Sequence, residues 1–137
     1  MDLKRINEHV SVSGQIQPED IVALKEAGFT VIINNRPDGE SPDQPASAEI
    51  EAAAKAAGLD YHAIPLGRGG VNPDMVEQTR SVLEGSAGPV FCFCRSGTRS
   101  TTLWALSQAG EMPAGDIIAQ AAEAGYDMSH LAGHLSP

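Results

Sequence analysis

Two junctions thirty residues apart constrain this chain most: Ala27-Gly28-Phe29 and Ala57-Gly58-Leu59, where a helical pattern closes on a glycine and an apolar run begins at once. Before the first, Pro18 stands at an initial helical position with Glu19 and Asp20 behind it, which predicts a helix over 18–27 and then a strand over 29–34. Before the second, an alanine-rich helix over 46–57 leads into a strand over 59–64, closed by Pro65. No third copy follows at the same period, so the two units read as stacked βα units of a parallel sheet and not as a solenoid. Further on, Asn72 caps a helix that opens at Pro73 and runs to Gly85, and residues 89–93 form an apolar central strand. A helix over 99–109 and two shorter ones over 113–124 and 127–135 complete the pattern, with residues 9–13 as a first strand. The chain therefore reads as one α/β domain over 1–137, a mostly parallel sheet with helices on both faces. Residues 35–45 and 67–72 are loops at the carboxyl ends of the strands.

A chain of 137 residues, 42% hydrophobic, can bury a core without disulfides or metals. The two cysteines, Cys92 and Cys94, are too close in sequence to be a disulfide framework, which points to a reducing, cytoplasmic setting. No apolar h-region follows Lys4 and Arg5, and no run reaches the length of a membrane span. The net charge of −9 opposes binding of nucleic acid or anionic lipid by the general surface.

Against that acidic background, four of the six arginines, Arg36, Arg68, Arg95 and Arg99, fall in loops on the carboxyl side of the sheet, where open parallel sheets bind ligands. The loop Cys94-Arg95-Ser96-Gly97-Thr98-Arg99 runs from a strand directly into a helix. Its amides can converge on an anion, and the helix dipole adds positive potential. Cys94 at the floor of this bowl is the candidate nucleophile, favoured as a thiolate by the amides and by Arg99. Gly97 permits the tight backbone, and Ser96, Thr98 and Ser100 are candidate hydroxyl donors. Cys92, between Phe91 and Phe93, reads as a core residue.

At these residues the chain resembles two families. Val12-Ser13-Gly14-Gln15, Gly28 with Val31-Ile32-Ile33-Asn34, and the order of elements resemble the dual-specificity branch of the cysteine phosphatases. Phe93-Cys94-Arg95-Ser96-Gly97-Thr98-Arg99-Ser100 resembles the persulfide-carrying loop of rhodaneses. With residues 34–40 and Ala124-Gly125-Tyr126-Asp127, the chain is similar over nearly its whole length to the bacterial beta-lactamase-hydrolase-like, phosphatase-like domains, whose members are described both as phosphatases and as sulfur transferases. The resemblance implies a dual-specificity-phosphatase-like fold.

Cysteine phosphatases place five residues between cysteine and arginine and a histidine before the cysteine; this chain has four, and Phe93. A phosphatase also needs a carboxylic acid to protonate the leaving oxygen. The loop where it would stand, Pro65-Leu66-Gly67-Arg68-Gly69-Gly70, has none, and the nearest candidate, Asp74, sits where a helix N-terminus favours an acid anyway. Sulfur transfer has no such requirement. The expectation is a rhodanese-type sulfurtransferase without metal or organic cofactor. Cys94, Arg99 and Ser100 would be catalytic, and Arg95, Ser96, Gly97 and Thr98 would form the anion loop. Arg36 and Arg68 would hold an anionic donor such as thiosulfate or glutathione persulfide, the sulfur passing to a thiol acceptor, with a persulfide dioxygenase as a partner. A phosphatase using Asp74, and a non-catalytic anion- or phosphopeptide-binding module, are the alternatives.

Other groups receive lesser roles. Asp38 and Glu40 brace Arg36 or its turn. His130 and His134 have the spacing of half a metal site, without further ligands. Residues 67–70 lack the spacing of a dinucleotide fingerprint.

Overall fold

The computed structural model describes residues 1–135. Four strands, β2 (Val10–Ser13), β3 (Val31–Asn34), β4 (Asp60–Ala63) and β5 (Val90–Phe93), pair in parallel, and a two-residue strand, β1 (Lys4–Arg5), joins β2 antiparallel. The order across the sheet is β1-β2-β5-β3-β4, so β5 lies at its centre.

The apolar run of β5 is explained by burial on both faces. Val90 and Cys92 join Val10, Val12, Val31 and Ile33 in one core, while Phe91 and Phe93 join Ile32 in the other. The first core is covered by α3 (Pro73–Gly85), α4 (Thr98–Ser107), α5 (Ala114–Glu123) and α6 (Ala132–Leu135), through Leu83, Leu103, Trp104, Ile117 and Leu135. The second is covered by α1 (Ile21–Glu26) and α2 (Ser47–Ala56), through Ile21, Leu24, Ile50 and Ala54. The mostly parallel sheet between two helical layers is the architecture the alternating pattern implies. Among the described residues, no helix is long and apolar enough to cross a membrane.

Several boundaries move for local reasons. The helix expected over 18–27 begins as a 3-10 turn, Pro18–Asp20, because the Asp20 carboxylate folds back to accept the Gln17 N–H at 2.8 Å. The strand expected from residue 29 starts at Val31, since Gly28 turns at φ +100° and the Phe29 N–H is bonded to the Leu24 carbonyl. The helix expected over 127–135 is interrupted. Asp127 accepts from both the N–H and the hydroxyl of Ser129, making a turn, then a 3-10 segment, Ser129–Leu131, and only then α6. β1 is unexpected, a charged pair with no apolar pattern of its own.

Candidate active site

Cys94 directly follows β5 at its carboxyl end and is buried. Its N–H donates to the Ser13 carbonyl of β2, so the loop leaves the sheet still tied to the neighbouring strand. Gly14, next along β2, is pressed against the loop: a Cβ there would lie 2.8 Å from the Arg95 carbonyl oxygen. The loop then turns at Gly97, whose φ of +90° is a left-handed conformation that suits glycine, and α4 begins at Thr98. The turn aims the Gly97 N–H at the Cys94 sulfur, 3.1 Å from Sγ. Thr101 locks it from the helix side, its hydroxyl donating to the Gly97 carbonyl at 2.8 Å. The convergence of loop amides on the cysteine is thus present at Gly97.

The arginines are arranged differently from the expectation. Glu40, from the loop after β3, receives two bonds from Arg99, at 2.7 and 2.8 Å, and one from Arg36 Nε at 2.9 Å. Arg99 also donates to the Leu66 carbonyl at 2.8 Å, which ties the loop after β4 to the same centre. The Arg99 bonds hold the Glu40 carboxyl at about 2, assisted by Arg36 and opposed by burial. Arg99 is in turn held above its ordinary range, first by Glu40, against its own burial, and then by the charge of Cys94. Glu40 therefore braces Arg36 as expected and, beyond that expectation, clamps Arg99.

Arg36 needs correction as an open hook for substrate: it is buried, and its Nη1 donates to the Gln15 side chain while Nε is held by Glu40. Arg95 stands open instead, exposed and in no ion pair among the described residues. Arg36 and Arg95 share a polar cleft of about 360 Å³ with Gln15, Gln17, Ser41, Asp43 and Gln44, immediately beside the loop. Arg68 is exposed, two residues beyond the Leu66 carbonyl that Arg99 holds, and makes no side-chain bond among the described residues.

The hydroxyls also divide. Ser96 and Thr98 bond each other at 3.2 Å on the exposed rim, which leaves a bound group, and not the sulfur, as the partner open to them. Ser100 is buried in the first turn of α4, and its Oγ is the buried side-chain oxygen without a partner among the described residues. Such a group is exceptional in a folded interior. Asp74 is not brought to the loop. It lies in the first turn of α3 and lines the cleft between that helix and β4, beside Tyr61 and His62. Cys92 packs in the core, where burial first and the neighbouring Cys94 charge second push its thiol up to about 12. His130 and His134 are exposed.

Sequence reasoning passed over Tyr126 and Gly14 as parts of this site. Tyr126 donates to the Ser96 carbonyl from 30 residues away, at 2.9 Å, and packs directly over Gly97. The available signal was the stretch Ala124-Gly125-Tyr126-Asp127 that carries part of the family resemblance, but only the fold brings it to the loop.

A cysteine-bearing loop after the central strand of a parallel sheet, closed by an arginine on the following helix, defines the cysteine-phosphatase-like class. The chain belongs to the family described as beta-lactamase hydrolase-like protein, phosphatase-like domain, whose profile matches residues 2–111. A beta-lactamase hydrolase-like protein of Agrobacterium fabrum is 37% identical over 130 residues, 93% of this chain and 30% of the relative. The chain thus spans about 30% of the length of the curated relatives it matches. A solved structure from Neisseria meningitidis, described as a candidate phosphatase, is 32% identical, with a TM-score of 0.83 over 98% of this chain and 96% of that one. A candidate protein tyrosine phosphatase from Leishmania major shares the fold, with a TM-score of 0.73 over 99% and 98% of the two chains, at 16% identity.

Proposed function

We propose that the chain is a cysteine-dependent sulfurtransferase built on a phosphatase-like fold. The observation that carries this reading is the bonding of Glu40, which accepts two bonds from Arg99 and one from Arg36. Engaged by both cations, which lower its carboxyl, it is a poor proton donor, and Asp74 lines the cleft between α3 and β4. An alkoxide leaving from a phosphomonoester needs a proton at that moment; sulfite or a thiolate leaves without one. The four-residue spacing to Arg99 and Phe93 in place of histidine agree with the same chemistry.

In the first step the Cys94 thiolate attacks the outer sulfur of thiosulfate. The new S–S bond forms as the old one breaks, and sulfite departs with the electron pair. With a persulfide R–S–SH as donor, R–S⁻ leaves instead, and Cys94 carries –S–SH. An acceptor thiolate then attacks that outer sulfur, releasing the Cys94 thiolate and a new persulfide. In this reading the Gly97 N–H, already bonded to Cys94 Sγ, would donate to the added sulfur, and exposed Arg95 would meet the anionic end of a small thiol carrier in a polar cleft that Asp43 also lines. Product persulfide would be drawn off by a persulfide dioxygenase, and both cysteines being free suits a reducing compartment.

The comparisons favour the second reading, a cysteine-dependent phosphomonoesterase with a phosphocysteine intermediate. The Neisseria structure that covers nearly the whole chain is described as a candidate phosphatase. Intact-protein mass spectrometry separates the two. After thiosulfate or glutathione persulfide, wild type is expected to gain one sulfur, about 32 Da by its atomic mass, and Cys94→Ser none. A wild type that stays unmodified while hydrolysing an aryl phosphate establishes the phosphatase instead.

A further inference from the structure

We propose that Tyr126 is a positioning residue for the Cys94 thiolate, acting through the peptide bond between Ser96 and Gly97. This rests on Cys94 working as a thiolate, the part common to both functional readings.

The Ser96 carbonyl and the Gly97 N–H belong to one trans peptide unit, so they point in opposite directions. The tyrosine hydroxyl donates to the carbonyl at 2.9 Å, and on the other side of the same unit the N–H donates to Cys94 Sγ at 3.1 Å. A donor on the carbonyl polarises the amide and fixes its plane, which strengthens the N–H as a donor to the sulfur. At φ +90°, Gly97 has no Cβ to resist rotation of this peptide, so an outside restraint is what holds it.

Tyr126 is itself well anchored. α5 ends in a Schellman turn, with the Tyr126 N–H on the Ala121 carbonyl at 2.9 Å, the Gly125 N–H on Ala122 at 3.0 Å, and Gly125 at φ +102°. The ring packs against the core beneath α4 and α5. Burial first, and the Cys94 charge second, raise the phenol above its ordinary range, so it stays a protonated donor at neutral pH. Phenylalanine would fill the same space; only the bond to Ser96 requires the hydroxyl.

The test is the pH profile of Cys94 alkylation by iodoacetamide, which needs neither sulfur nor phosphoryl transfer and so stands whichever reaction the enzyme performs. Around Cys94 the charged and titratable groups are Arg95 and Arg99, Glu40 and Arg36 through Arg99, Cys92 on β5, and Tyr126. Only the last is changed. Tyr126→Phe is expected to move the profile up by about half a pH unit and to slow alkylation at pH 7 roughly two- to fivefold, the scale of one weakened hydrogen bond. Tyr126→Met, which keeps the apolar contacts, gives the same shift and serves if the first variant does not fold. Thr79→Val, which removes a buried hydroxyl bond on α3, is the control and leaves the profile in place. Profiles of Tyr126→Phe and wild type that superimpose, or an equal shift in Thr79→Val, overturn the proposal.

Discussion

Cys92 and Cys94 are separated by one residue and by a change of environment. Cys92 points into the core opposite Val12 and Ile33, and its thiol, at about 12, stays protonated across the physiological range. Cys94 lies just past the strand with an N–H aimed at its sulfur. Cys92→Ser is expected to destabilise the fold by about 1–3 kcal/mol, the penalty for a hydroxyl buried among apolar side chains, while leaving the alkylation rate of Cys94 close to wild type. Urea unfolding and labelling measure the two effects separately; a marked loss of labelling would give Cys92 a part in the chemistry.

At the scale of elements, the loop between β5 and α4 is held by contacts from three others: Gly14 at the end of β2, Tyr126 after α5 and Leu66 after β4. Gly97→Ala places a methyl group on a left-handed residue and into the tyrosine hydroxyl. It is expected to cost on the order of 1–3 kcal/mol and to depress Cys94 labelling more than global unfolding explains, which calorimetry and alkylation together test. The elements themselves were legible because their signals are local: glycine after each alanine-rich helix, Asn72 and Pro73 ahead of α3, an unbroken apolar run for β5. So was the cysteine loop, a contiguous motif. The clamp was not. Glu40 and Arg99 stand 59 residues apart, and nothing in either neighbourhood says which arginine the carboxylate will choose. Tyr126 and the two-residue β1 were hidden for the same reason, their roles coming from what they meet in space.

For the molecule as a whole, Glu40 and Arg99 together tie three loops to one centre on a chain whose net charge is −9. Its carboxyl, lowered from 4.5 to about 2 by Arg99 first, is ionised more readily folded than unfolded. The stability it adds is therefore present above pH 4.5 and is lost as pH falls through about 2. Glu40→Gln lacks this contribution. Its melting temperature is expected to lie below that of wild type at neutral pH and to approach it over that acid window. A constant gap across the window would show that the clamp is no source of acid sensitivity. The same centre draws Arg36 and Arg99 together without leaving either cation bare.

The contact between Tyr126 and the Ser96 carbonyl also bears on where this unit can be cut. A fragment trimmed at residue 111, where the family profile stops, would lose α5, the Ile117 and Ala121 side chains that close one face of the sheet, and the phenol that steadies the peptide beside the sulfur. The smallest piece able to carry the cysteine in its native setting accordingly extends past the profile match at residue 111. Designers of excised or grafted versions should count the segment through Tyr126 as part of the working parts.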